Sequence, residues 1–152
     1  MKTYLLSEPY QLTYPIGGNM KYALEISKEM AFHIKKRATK DKRVILWCRG
    51  SSGAILSGLV SAHMKTKVVL VNHIKKDGEN SHSSKFTINS FDKNDINIVI
   101  DDFIASGETF REIVKSIKEC NLSVDGLCFT GQITMELIKE TKPKFVICGK
   151  VC

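Results

Sequence analysis

Five short apolar runs constrain the fold of this chain more than any other feature. They fall at 44–48 (Val-Ile-Leu-Trp-Cys), 67–72, 96–100, 124–129 and 144–148. Each is continuous rather than alternating, the pattern of a strand buried on both faces. Helical stripes separate them. Ala23, Ile26, Met30 and Ile34 repeat at helical spacing in a helix that Asn19 can cap and that runs to about Lys36. Residues 54–64 carry Ile55, Leu56, Leu59 and Val60; residues 110–119 carry Phe110, Ile113, Val114 and Ile117; a shorter helix is predicted over 134–140. Strands of this kind alternating with helices imply an α/β domain with a mostly parallel sheet covered on both faces. A length of 152 residues fits one such domain.

In sheets of this class ligands bind beyond the carboxyl ends of the strands. That rule puts residues 49–53, 73–85, 103–109 and the chain after Phe129 on one rim. The polar, glycine-bearing segments all fall there.

One rim segment carries a chemical signature. Ile98-Val99-Ile100 runs into Asp101 and Asp102, then Phe103-Ile104, then Ala105-Ser106-Gly107-Glu108-Thr109 at the start of a helical pattern. A glycine and two hydroxyls over a helix N-terminus suit a phosphate. The two acids before them do not; they suit sugar hydroxyls or hydrated Mg²⁺. Together they point to a sugar phosphate.

The stretch resembles the 5-phosphoribosyl-1-diphosphate (PRPP) motif of type I phosphoribosyltransferases: an apolar strand, two acids, an apolar pair and a Thr/Ser-Gly-x-Thr/Ser loop. The resemblance implies that family's Rossmann-like core, with a core over about 38–130 and a small hood from 1–18 and about 130–152. It assigns Asp101 and Asp102 to the ribose hydroxyls and, with ligand and water, to Mg²⁺. It assigns Ala105, Ser106, Gly107, Glu108 and Thr109 to the 5′-phosphate. Arg49-Gly50-Ser51-Ser52-Gly53 reads equally as a plain strand-to-helix turn or, by the resemblance, as the diphosphate loop, with Arg49, Gly50 and Ser51 as contacts. The family often carries a cis peptide there, which would fall at Arg49–Gly50 or Gly50–Ser51. His73 to His82 occupies the place of the flexible catalytic loop, where Lys75 and Lys76 would neutralise the diphosphate, Lys76 acting in catalysis, and His82, like His73, is a candidate acid/base group of the loop. Phe129 and Phe145 are the expected base-stacking rings. Ala105 departs from the hypoxanthine/guanine type, which places an aspartate there, so that base is missing.

The implied reaction is Mg²⁺-dependent transfer of the phosphoribosyl group to a nucleobase with release of diphosphate, by a homodimer. Two other readings stay open: a non-catalytic regulator that senses PRPP or nucleotides, with RNA as a partner, and an enzyme using ribose phosphate without a nucleobase. The formal net charge of +7 fits nucleic acid or an anionic small ligand. Along the sequence the cations are scattered and not interleaved with aromatics, which does not favour nucleic acid. No apolar run has transmembrane length and no signal-peptide core follows Met1, so a cytoplasmic protein is expected. The five cysteines lack metal or redox spacing and read as small buried hydrophobes.

Overall fold

A computed structural model describes residues 1–7, 20–38, 41–64, 66–71, 91–104 and 106–152. The first strand, β1 (Lys2–Leu5), is followed by α1 (Met20–Lys35), β2 (Val44–Cys48), α2 (Gly50–Met64) and β3 (Lys67–Leu70). Then come β4 (Ile96–Asp101), α3 (Glu108–Glu119), β5 (Gly126–Phe129), β6 (Gln132–Ile133), α4 (Met135–Thr141), β7 (Phe145–Cys148) and β8 (Lys150–Val151). Six strands form one sheet in the order β1-β7-β5-β4-β2-β3, and every pairing in it is parallel. The expected α/β class with a parallel core sheet is what the chain adopts. No helix among the described residues is long and apolar enough to cross a membrane.

The continuous apolar runs are explained by the period of two along a strand. In β2, Leu46 and Cys48 join a core layer with α1 and α2, while Ile45 and Trp47 join a second layer with α3 and α4. In β4, Ile98 and Ile100 face the first layer and Val99 the second. Each of these side chains is sealed from water and contributes roughly 1.5–3 kcal/mol of apolar burial. The buried Trp47 ring has one polar atom, and its Nε1–H donates to Asn97 Oδ1 at 3.0 Å. Gly126 is required by the neighbouring strand: a Cβ there would stand 2.4 Å from Cζ of Phe145, whose ring lies over it.

Three differences from the sequence reading have local causes. Residues 50–53 form the first turn of α2 rather than a free turn, so that helix begins four residues earlier than its apolar stripe. Thr134 caps α4 from outside, its hydroxyl accepting from Leu137 N–H. The chain ends assigned to a hood contribute β1 and β7 to the main sheet; only the short β6–β8 pair lies in a separate sheet.

Strand order creates the crevice. From β2 the chain passes through α2 to β3 on one side; from β4 it passes through α3 to β5 on the other. The two central strands are neighbours whose exits diverge, the topological switch point at which α/β sheets bind ligands.

Candidate functional site: two helix N-termini around a buried acid pair

Three groups predicted from the sequence, the acid pair and the segments that open α2 and α3, meet at the carboxyl ends of β2 and β4. Asp101 ends β4, and Asp102 follows it; both are buried, at 9% and 5% exposure. The backbone folds onto their carboxylates. Asp102 N–H donates to Asp101 Oδ1 at 2.9 Å, and Phe103 N–H donates to Asp102 Oδ1 at 2.9 Å. Thr130, just after β5, clamps the pair from the side that sequence reasoning did not foresee. Its hydroxyl donates to the Asp102 carbonyl at 2.9 Å, and Gly131 N–H donates to the same oxygen at 2.7 Å. The acid pair is therefore fixed at main chain and side chain before any ligand arrives.

Burial raises the Asp101 carboxyl most strongly. The Asp102 N–H bond opposes this, while the Asp102 charge and a side-chain bond between the two acids add to it, and the result is a value pushed up to about 8. Burial thus favours the protonated form of the Asp101 carboxyl towards neutral pH. Such a carboxyl can both donate to and accept from a hydroxyl, whereas a carboxylate only accepts.

Beyond the pair, Gly107 (φ 78) turns the chain into α3 and stands as its N-cap without a side-chain cap. The left-handed φ explains the glycine. Glu108 N–H donates to Ser106 Oγ at 3.3 Å, and Thr109 is exposed in the first helical turn. Ser106, Gly107, Glu108 and Thr109 thus lead into and open α3 just beyond the acid pair. Ala105 lies outside the described residues, as do Lys75, Lys76 and His82.

A second helix N-terminus faces the pair. Gly50 (φ 74) opens α2 directly after Arg49. No cis peptide occurs among the described residues, so Arg49–Gly50 and Gly50–Ser51 are trans, and the positive φ at Gly50 makes the turn. Gly53, one turn in, is the contact that sequence reasoning passed over. A Cβ there would stand 3.2 Å from Asp101 Oδ1 and 3.3 Å from Cys48 Cβ, so α2 rests on the acid pair and on the end of β2. Arg49 itself is 5% exposed, with Nη1 3.7 Å from Oε2 of Glu112 on α3. That ion pair ties the end of β2 to the helix that follows the phosphate loop. Nothing in the sequence pattern marked Glu112.

The expected base rings are corrected. Phe145 begins β7, at the edge opposite the rim, and is core at 6% exposure. Phe129 ends β5 but is 1% exposed and packs on Phe110, with ring centroids 6.2 Å apart. All five cysteines are free thiols; Cys48, Cys128 and Cys148 are buried, and burial pushes each of those thiols up.

The donor set bears on the metal. No group of three His, Cys, Asp or Glu side chains among the described residues is placed to hold an ion. Two carboxyls that already accept backbone N–H bonds, one of them protonated near neutral pH, do not make a cage. They fit a hydrated Mg²⁺ brought in by an anionic ligand.

No protein-family model matches the chain, and no curated protein matches it in sequence. Solved structures do match. The adenine phosphoribosyltransferase of Trypanosoma brucei, solved with AMP, pyrophosphate and ribose-5-phosphate, superposes with a TM-score of 0.58 at 19% identity, over 88% of this chain and 67% of that one. A hypoxanthine-guanine phosphoribosyltransferase from Bacillus anthracis gives 0.55 at 18% identity, over 87% and 78%. The orotate phosphoribosyltransferase of Francisella tularensis gives 0.55 at 15% identity, over 86% and 67%. The likeness at these identities is one of architecture: the chain has the fold of the type I phosphoribosyltransferases.

Proposed function

We propose that the protein is a phosphoribosyltransferase, moving the 5-phosphoribosyl group of Mg²⁺-bound PRPP to a nucleobase nitrogen and releasing diphosphate. One observation carries this reading. Gly53 against Asp101 brings a second helix N-terminus, with Arg49 at its base, onto an acid pair that already stands beside the α3 N-terminus. A phosphorylated ribose bearing a diphosphate needs those three kinds of contact in that order.

The 5′-phosphate sits on the N–H groups that open α3, with the Ser106 and Thr109 hydroxyls. The 2′- and 3′-hydroxyls meet Asp101 and Asp102, and the Asp101 proton lets that carboxyl donate as well as accept. The diphosphate lies at the start of α2 with Arg49, Gly50 and Ser51. Mg²⁺, carried by the diphosphate with water and the acid pair, would neutralise charge on the leaving group. As the bond from C1 to the diphosphate oxygen breaks, the lone pair of the base nitrogen forms the new C–N bond. The chain's part is positioning and charge stabilisation of an oxocarbenium-like centre. Lys75, Lys76 and His82 are assigned by the family resemblance to a loop that closes over the diphosphate. With alanine at 105 the acceptor loses its proton without a carboxylate from that position, which favours adenine-like or orotate-like bases.

A diphosphate-release assay with PRPP and Mg²⁺ tests this against adenine, hypoxanthine, guanine, orotate and no base. Release with one base only is the expected result. No release with any base, together with undiminished PRPP affinity in Asp102→Asn and Thr109→Val, would sink the assignment. Release without a base would select the hydrolytic reading.

A further inference from the structure

Because all six strands run parallel, their starts share the side of the sheet opposite the rim, and the helices that lead into the next strand end there. That side collects the chain's positive charge. The end of α1 brings Lys35, Lys36 and Arg37, and the approach to β2 brings Lys42 and Arg43. Lys2 and Lys67 lie in the first positions of β1 and β3, and Lys93 and Lys144 precede β4 and β7. Lys118 and Lys142 end α3 and α4.

The acids on the same side are Asp41, Asp92, Asp95, Glu119, Asp125 and Glu140, the last paired with Arg111. Asp95 and Asp125 are buried and engaged, Asp95 with Arg43 at 2.6 Å and Asp125 with Lys144 at 2.7 Å. Among the described residues, eleven cations against six acids leave an excess of five. Basic residues favour helix C-termini for local reasons. Those reasons, and the pairing of Arg43 and Lys144 with buried acids, do not explain Lys42 and Lys93 before β2 and β4.

Aromatic rings join them. Phe32 is 53% exposed, and Lys36 Nζ stands 4.2 Å from its ring centroid. Phe91 is half-buried beneath Lys67 Nζ at 4.8 Å. Lys36 meets Phe32 one helical turn away, and Lys67 meets Phe91 across the fold. The edge is six strands wide, about 24 Å at the usual strand spacing.

We propose that this edge binds single-stranded RNA, with phosphates along the lysines and a base stacked on Phe32. Phosphate neutralisation and ring stacking are the two terms by which such surfaces hold a single strand without reading its sequence. An acidic peptide would use the charge and leave the exposed ring without a purpose; an anionic membrane, which would use both, is the outcome that the vesicle arm of the test reads.

Fluorescence anisotropy with a labelled oligouridylate of about 20 nucleotides, titrated from about 50 to 200 mM KCl, tests this. Wild type should bind with a steep salt dependence. The triple variant Lys36→Glu, Lys42→Glu, Lys93→Glu should bind at least about tenfold more weakly, with a log–log salt slope shallower by about 2. Phe32→Ala, at an exposed position that leaves the core untouched, should weaken binding by about fivefold or more with the slope unchanged. Thr109→Val should leave RNA binding as in wild type, since the rim lies on the other side. Equal affinity in wild type and both edge variants, or equal binding of duplex DNA or phosphatidylserine vesicles, overturns the proposal. Neither result depends on the outcome of the diphosphate-release assay.

Discussion

Replacing Asp101 with Asn should stabilise the folded chain and disable its site. The carboxyl is buried, and its value rises from 3.8 to about 8 on folding, chiefly through lost hydration. A raised carboxyl value means that the folded state keeps a proton which the unfolded state gives up. The stability tied to this group is thus whole below about pH 4 and is lost as the pH climbs towards about 8. Between the two values the slope approaches one proton, about 1.4 kcal/mol per pH unit. Wild type should therefore lose about 2–3 kcal/mol relative to Asp101→Asn between pH 5 and 7. That is a large share of a total stability of about 5–15 kcal/mol. Asparagine keeps the oxygen that accepts from Asp102 N–H, so the backbone clamp survives. His33 contributes the opposite slope, because burial first and the Arg37 charge next lower its value. It is present in both proteins and drops out of the difference. Urea unfolding at pH 5, 6 and 7 measures the difference directly. Parallel pH profiles, or an Asn variant less stable than wild type at pH 7, would refute the account of a buried proton.

Other expected outcomes follow from the same geometry. Thr109→Val should weaken PRPP binding about tenfold or more, the usual worth of a hydroxyl on a charged ligand, with an unchanged melting temperature; calorimetry with Mg²⁺ reads the first and a thermal scan the second. Gly53→Ala should cost about 1–3 kcal/mol, because its methyl presses on the Asp101 carboxyl and on Cys48, and PRPP affinity should fall with it. Gly126→Ala places a methyl 2.4 Å from the Phe145 ring and should destabilise by about 3 kcal/mol or more in urea; Gly126→Ala with Phe145→Leu should recover part of that loss.

The core was legible because both-face burial writes itself as unbroken apolar runs, and β2 and β4 matched those runs almost to the residue. β1 was not legible. As an edge strand it is mostly exposed, so Lys2–Leu5 shows neither an apolar run nor an alternation. The start of α2 was obscured because Gly-Ser-Ser-Gly has the propensity of a turn; packing of Gly53 on Asp101 decides for helix. In the site, Asp101 and Asp102 were readable because two acids at the end of an apolar strand conflict with burial unless they have a use. Thr130 and Glu112 carried no such conflict: a threonine after a strand and a glutamate on a helix are ordinary, and only tertiary proximity gives them partners. Phe145 misled for the converse reason, since an aromatic in a strand carries no mark of which end of the sheet it occupies.

The place of β1 beside β7 has a consequence for how the chain folds. The sheet's last pairing joins Lys2 to Phe145, across nearly the whole sequence. Contacts so far apart close late and slowly, because the intervening chain must already be ordered before the loop entropy is offset. The central strands β2, β4 and β5 can pair beforehand, through much shorter separations. The candidate rim between β2 and β4 can therefore form in a chain whose outer edge is still open, exposing the unpaired side of β7. An intermediate of that kind would be competent for ligand and vulnerable to intermolecular strand pairing at the same time.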